Sequence, residues 1–141
     1  MSRELILRYP QILDFTSIWH DTFRNGTFSL DNTNRLIHFY EGTRGLKTGF
    51  TQKAGHCLVA TCERNGMHLI SVVLGEPTSN TRFAESRKIL EYGFHNFELI
   101  TENKKGDIAG EIEVKKGLLN KAELVIPKDV NLLINIGDKE K

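Results

Sequence analysis

The sequence predicts an α+β fold: an antiparallel sheet with flanking helices, followed by a small, partial β module. Three observations carry this. Residues His56 to Glu63 and Met67 to Leu74 are two apolar runs joined at Asn65-Gly66, the dipeptide whose backbone suits a two-residue hairpin turn. A capped stretch follows in which Phe83, Leu90, Phe94 and Phe97 recur at helical spacing, the stripe a helix lays against a sheet. Every aromatic residue lies at or before Phe97, so the chain changes character near residue 100.

A short helix fits Glu4 to Tyr9 and stops at Pro10, because proline cannot continue the hydrogen-bond ladder. Asn25-Gly26 reads as a turn between Phe23 and the alternating Thr27 to Leu30. Asn32 or Thr33 is placed to cap a helix through Leu36 to Tyr40. Gly42 and Gly45 mark a loop, and Leu46 to Thr51 a strand. Thr78 or Ser79 caps the long helix. Beyond Thr101 the chain has eight lysines, eight acidic residues and no arginine. Its β-type runs are Ile108 to Val114, Ala122 to Ile126 and Val130 to Ile136. Glu111-Ile112-Glu113-Val114 alternates as a half-buried strand does. Two or three strands without an aromatic anchor make a marginal unit. The expected organisation is therefore residues 1–100 as one domain and residues 101–141 as the beginning of a second.

With 141 residues, 39% of them hydrophobic and 26% charged, bulk disorder and a disulfide-built mini-protein are excluded. The charge of +1, from 19 basic and 18 acidic residues, argues against nucleic acid as a partner. No apolar run reaches the length of a membrane span. Cys57 and Cys62 lie five apart on one strand run, which points them to opposite faces and makes them buried thiols rather than a pair. The five histidines show no metal-ligand spacing, so neither metal nor cofactor is expected.

Chemistry concentrates in Lys47-Thr48-Gly49, inside Arg44-Gly45-Leu46-Lys47-Thr48-Gly49-Phe50-Thr51. On a strand beside a cleft, the lysine supplies a positive charge for a substrate carboxylate and the threonine hydroxyl a hydrogen bond to it. The glycine admits close approach of another backbone. A backbone N–H just beyond it can face an oxyanion. Three fixed residues are a weak signal alone. Arg82, in the first turn of a helix, opposes the helix dipole and suggests an anionic neighbour. Arg44 and Lys53 read as surface charges.

The longer string is more specific. Asn32-Thr33-Asn34-Arg35-Leu36, Gly45 to Thr51, Ala54 to Thr61, Gly66 to Gly75 and Arg82 to Phe94 together resemble the serine-type D-alanyl-D-alanine carboxypeptidases, the low-molecular-mass penicillin-binding proteins. The resemblance covers residues 5 to 100 and implies the C-terminal part of their catalytic domain, with a penicillin-binding-protein/β-lactamase-like fold. The tail resembles the start of their β-rich second domain. The implied reaction is removal of the terminal D-alanine from peptidoglycan stem peptides through an acyl-enzyme, with β-lactams as inhibitors. Lys47 and Thr48 carry over as carboxylate-binding residues and Gly49 as the close-approach residue. The Phe50 N–H carries over as half of the oxyanion hole, and Arg82 as a second hold on the carboxylate.

The sequence also departs from that family. No serine is followed three places later by lysine, and Ser-x-Asn is missing. The chain alone is therefore expected to be inactive. The resemblance implies work outside the cytoplasmic membrane, although the first residues show no signal core and the last no amphipathic anchor. Two other readings are a serine β-lactamase fragment and a non-catalytic binding or assembly module. Without further strands, the Met67 to Leu74 edge is expected to favour self-association.

Overall fold

The computed structural model describes residues 1–138. Lys139, Glu140 and Lys141, where no amphipathic helix is expected, lie outside the described residues. The chain divides into two compact units, Met1–His95 and the residues from Asn96 onward.

The first unit opens with α1 (Ser2–Arg8) and α2 (Ile12–Thr16), on either side of Pro10. The hairpin β1 (His20–Phe23) and β2 (Phe28–Asp31) follows, with Arg24, Asn25 and Gly26 all at positive φ in its turn. Next come α3 (Leu36–Phe39), β3 (Thr43–Thr51), β4 (Gly55–Arg64), β5 (Met67–Glu76) and α4 (Ser79–Asn96). β3, β4 and β5 form one antiparallel sheet in that order.

Alternation along β4 explains the core. Leu58, Ala60 and Cys62 point to one face and are fully buried against Leu36, Tyr40, Phe83 and Leu90, with Leu69 and Phe94 at the margin. The hydroxyls of Ser71 on β5 and Ser86 on α4 bond at 2.6 Å, so the two buried polar groups satisfy each other. The Arg64 guanidinium covers the cluster, 4.3 Å from the Tyr40 ring centroid and 4.8 Å from that of Phe94. Burial pushes the Tyr40 hydroxyl up to about 12 and also raises the Cys62 thiol. Cys62 is buried, Cys57 is half-buried, and both are free. The opposite sheet face is unevenly covered: Thr61 is fully buried, whereas Val72 is 53% and Leu74 70% exposed.

Three local expectations are corrected. Phe97 does not belong to the helical stripe, because α4 ends at Asn96 and Phe97 opens a strand. Neither Asn32 nor Thr33 caps α3; the Asn34 side chain accepts the Leu36 N–H instead. Gly42 to Gly45 is not all loop, since β3 starts at Thr43 and carries a bulge between Thr43 and Gly45. Gly45, at φ 151°, turns the chain there, where the Thr16 side chain leaves no room for a Cβ. Thr78 takes the capping role at α4, accepting the Thr81 N–H at 3.1 Å.

The second unit contains β6 (Phe97–Asn103), β7 (Ile108–Glu113), β8 (Lys121–Val125) and β9 (Val130–Asn135). β6 pairs with β9, and β7 with β8. β6 was not expected, because it straddles the compositional break. No described residue after Leu90 is buried. The expected half-burial of Ile112 fails accordingly: it is 48% exposed. Hairpins without a shared core have little apolar burial to stabilise them.

Candidate active site

The site grows from how the chain enters β3. Thr16 donates from its hydroxyl to the Arg44 carbonyl at 2.7 Å. Asn34, 1% exposed, donates its amide to the Gly45 carbonyl at 3.0 Å. Asn32 accepts the Asn34 N–H and donates to the Thr16 and Ile18 carbonyls. These Asn and Thr side chains occupy backbone groups that the bulge removes from the sheet ladder, and they set where β3 begins.

Two residues past the bulge, alternation separates the motif. Lys47 is exposed and Thr48 buried. The Lys47 ammonium bonds the Thr48 carbonyl at 2.6 Å. The Thr48 hydroxyl lies 2.6 Å from that of Thr33. The fold does not demand glycine at 49: a Cβ built there meets only the Cys57 Cβ, at 4.0 Å. Phe50 is 58% exposed, with its ring 4.3 Å from that of His56.

Arg82 is 7% exposed. Its Nη1 donates to the Gly49 carbonyl at 3.3 Å and the Cys57 carbonyl at 3.4 Å; its Nη2 donates to the Ser79 hydroxyl at 3.1 Å. Burial, with the nearby positive charge of Arg35, makes the guanidinium easier to deprotonate than usual, while Cys57 acts the other way. The side chain thus braces the β3–β4 pair directly at the motif glycine. Arg82→Lys is expected to lose this fork, since an ammonium cannot reach three oxygens in one plane. The expected cost is about 1–2 kcal/mol, read as a lower urea midpoint with an unchanged slope.

Arg44 pairs with Glu63 at 3.2 Å on the surface. Thr33, Asn34 and Ser79 are the site neighbours that motif reading missed. The signal for them is the Asn-Thr-Asn run itself, whose side chains hydrogen-bond nearby backbone. Among the described residues no His, Cys, Asp and Glu cluster could hold a metal. No described helix is long and apolar enough to cross a membrane.

The profile of the D-alanyl-D-alanine carboxypeptidase family matches residues 1–78. The chain belongs to that family. It is 37% identical over 141 residues to the D-alanyl-D-alanine carboxypeptidase DacF of Bacillus subtilis (strain 168), covering 98% of this chain and 36% of that protein. Against DacA of Escherichia coli (strain K12) it is 39% identical over 113 residues, covering 80% of this chain and 28% of that one. The chain thus spans about a third of the length of these relatives.

Solved structures place the fold among the penicillin-binding proteins. A peptidoglycan synthesis regulatory factor (PBP3) from Streptococcus pneumoniae superposes with a TM-score of 0.84 at 30% identity, over 99% of this chain and 41% of that one. Penicillin-binding protein D2 from Listeria monocytogenes, in its cefotaxime-bound form, gives a TM-score of 0.62 at 42% identity, over 66% of this chain and 37% of that one.

Proposed function

We propose that this chain is the substrate-strand portion of a serine-type D-alanyl-D-alanine carboxypeptidase. On this reading residues 1–100 complete a catalytic domain, and residues 101–141 begin a β-rich one. The work is done outside the cytoplasmic membrane on peptidoglycan stem peptides. The observation that carries the reading is the braced strand β3: a buried Thr48 hydroxyl in a hydroxyl pair, an exposed ammonium beside it and a glycine the fold does not require.

The backbone supports the rest. Gly49 and Cys57 are register partners, and one Arg82 nitrogen reaches both carbonyls. Both carbonyls therefore turn into the β3–β4 ladder, and the alternation of an antiparallel pair turns the Phe50 N–H outward. That outward edge carries no other strand among the described residues. An extended peptide or a β-lactam lies along it. Lys47 and Thr48 hold its carboxylate, Gly49 lets its backbone approach, and the Phe50 N–H faces the developing oxyanion. For Thr48 to donate to the carboxylate, Thr33 donates to Thr48. Arg82 supports the carboxylate site chiefly by holding Gly49 in place.

The acyl acceptor is a serine of Ser-x-x-Lys, a pattern this sequence does not contain. Attack on the D-Ala-D-Ala carbonyl releases D-alanine; water then attacks the ester and frees the shortened stem peptide and the serine. Relatives named as carboxypeptidases favour this over a β-lactamase. The test is intact mass after incubation with excess penicillin. The chain alone is expected to gain no adduct. Mixed with a polypeptide carrying the Ser-x-x-Lys half of a relative, that half is expected to gain one penicillin. An adduct on the chain alone would refute the division of roles; no adduct in the mixture would favour a binding or assembly module.

A further inference from the structure

The loop joining β7 and β8 does not fit the surface of an ordinary soluble hairpin. It runs Val114-Lys115-Lys116-Gly117-Leu118-Leu119-Asn120 and is closed by the Val114 N–H donating to the Asn120 carbonyl at 2.9 Å. At its apex Leu118 is 107% and Leu119 74% exposed, side by side. A Cβ on Gly117 would lie 2.6 Å from the Val114 Cγ1 and 3.1 Å from the Leu119 carbonyl. Val114 therefore packs against the turn through the space a side chain at 117 would take.

Charge is sorted along the same hairpin. Glu111, Glu113 and Glu123 lie on its strands; Lys115 and Lys116 lie on the loop. Lys121, at the base, is neutralised by Glu111 at 2.8 Å, whereas among the described residues no ion pair is found for Lys115 or Lys116. The tip thus presents two exposed leucines beside two lysines, apolar surface and positive charge together. That combination suits a fluid interface, where apolar side chains enter the acyl boundary and lysines remain among anionic headgroups.

We propose that the β7–β8 tip is a membrane-contacting element that inserts Leu118 and Leu119 into an anionic lipid surface. It stands independently of the reading of the Lys-Thr-Gly strand. Attachment through two leucines and two lysines is reversible.

The test is flotation of the full chain with vesicles of equal parts phosphatidylglycerol and phosphatidylcholine, and with phosphatidylcholine alone. The chain is expected to float with the anionic vesicles only, and less so in high salt. Leu118→Ser with Leu119→Ser is expected to weaken partitioning about tenfold, and Lys115→Glu about fivefold or more. Leu118→Trp, combined with Trp19→Phe to remove the only natural tryptophan, is expected to shift its emission to the blue on those vesicles. Equal flotation of the wild type and the double leucine variant would overturn the proposal, because attachment would then run through another apolar surface. So would a tryptophan at 118 that keeps its aqueous emission, or no flotation at low salt, the result expected of a protein-docking tip.

Discussion

In a mixture of this chain with the Ser-x-x-Lys half of a relative, Lys47→Ala is expected to slow acylation by penicillin about 100- to 1000-fold. That is the usual loss when one preorganised electrostatic group is removed from an acyl-transfer site. The ammonium stands on an edge strand, is exposed, and bonds the Thr48 carbonyl, so its removal leaves the core untouched. Circular dichroism and the thermal midpoint should stay close to wild type. Thr48→Val is nearly isosteric and loses only the hydroxyl; a single hydrogen bond to a charged group predicts about a tenfold to hundredfold loss. Lys47→Arg keeps the charge but adds bulk, and should fall between Lys47→Ala and wild type. An acylation rate unchanged by Lys47→Ala would remove the motif from the site.

The largest expected stability loss is at Leu90. It is 1% exposed in the middle of α4 and belongs to the cluster of Leu58, Ala60, Cys62 and Phe83. Leu90→Ala removes buried methyl groups and leaves a cavity between helix and sheet, at about 2–5 kcal/mol. Domains of this size hold only about 5–15 kcal/mol in total. Val72 and Leu74 already expose apolar surface on the other sheet face, so the variant is expected to lose cooperative unfolding of residues 1–95 or to aggregate. Leu90→Met, which preserves volume, should cost less than about 1.5 kcal/mol. Urea titration followed by tryptophan emission reads the first unit alone, because Trp19 is the only tryptophan. Equal midpoints for Leu90→Ala and wild type would show that α4 does not hold the sheet.

Most of the first unit was legible because its signals are local. Asn25-Gly26 and Asn65-Gly66 dictate positive φ and so name their turns. The apolar runs on either side of Asn65-Gly66 named β4 and β5, and the Phe83, Leu90 and Phe94 spacing named α4. Phe97 misled because apolar periodicity alone does not say where a helix ends. β6 escapes a reading from composition because the change in composition falls inside the element, and a strand runs across it. The Lys-Thr-Gly motif announced its residues but not their supports. Thr33 precedes Thr48 by fifteen positions and Arg82 follows Gly49 by thirty-three, and nothing local connects them.

By itself the sequence determined the turns, the strand carrying Lys47, Thr48 and Gly49, the long helix and the family. Each of these is written in neighbouring residues, through backbone preference, alternation or a contiguous motif. Tertiary structure alone decided which side chains serve that strand. Asn34 reaches the Gly45 carbonyl, Thr33 the Thr48 hydroxyl, and Arg82 two carbonyls on different strands. The physical reason is that such hydrogen bonds depend on distances set by sheet register and helix packing, which arise only when residues far apart in the chain are brought together.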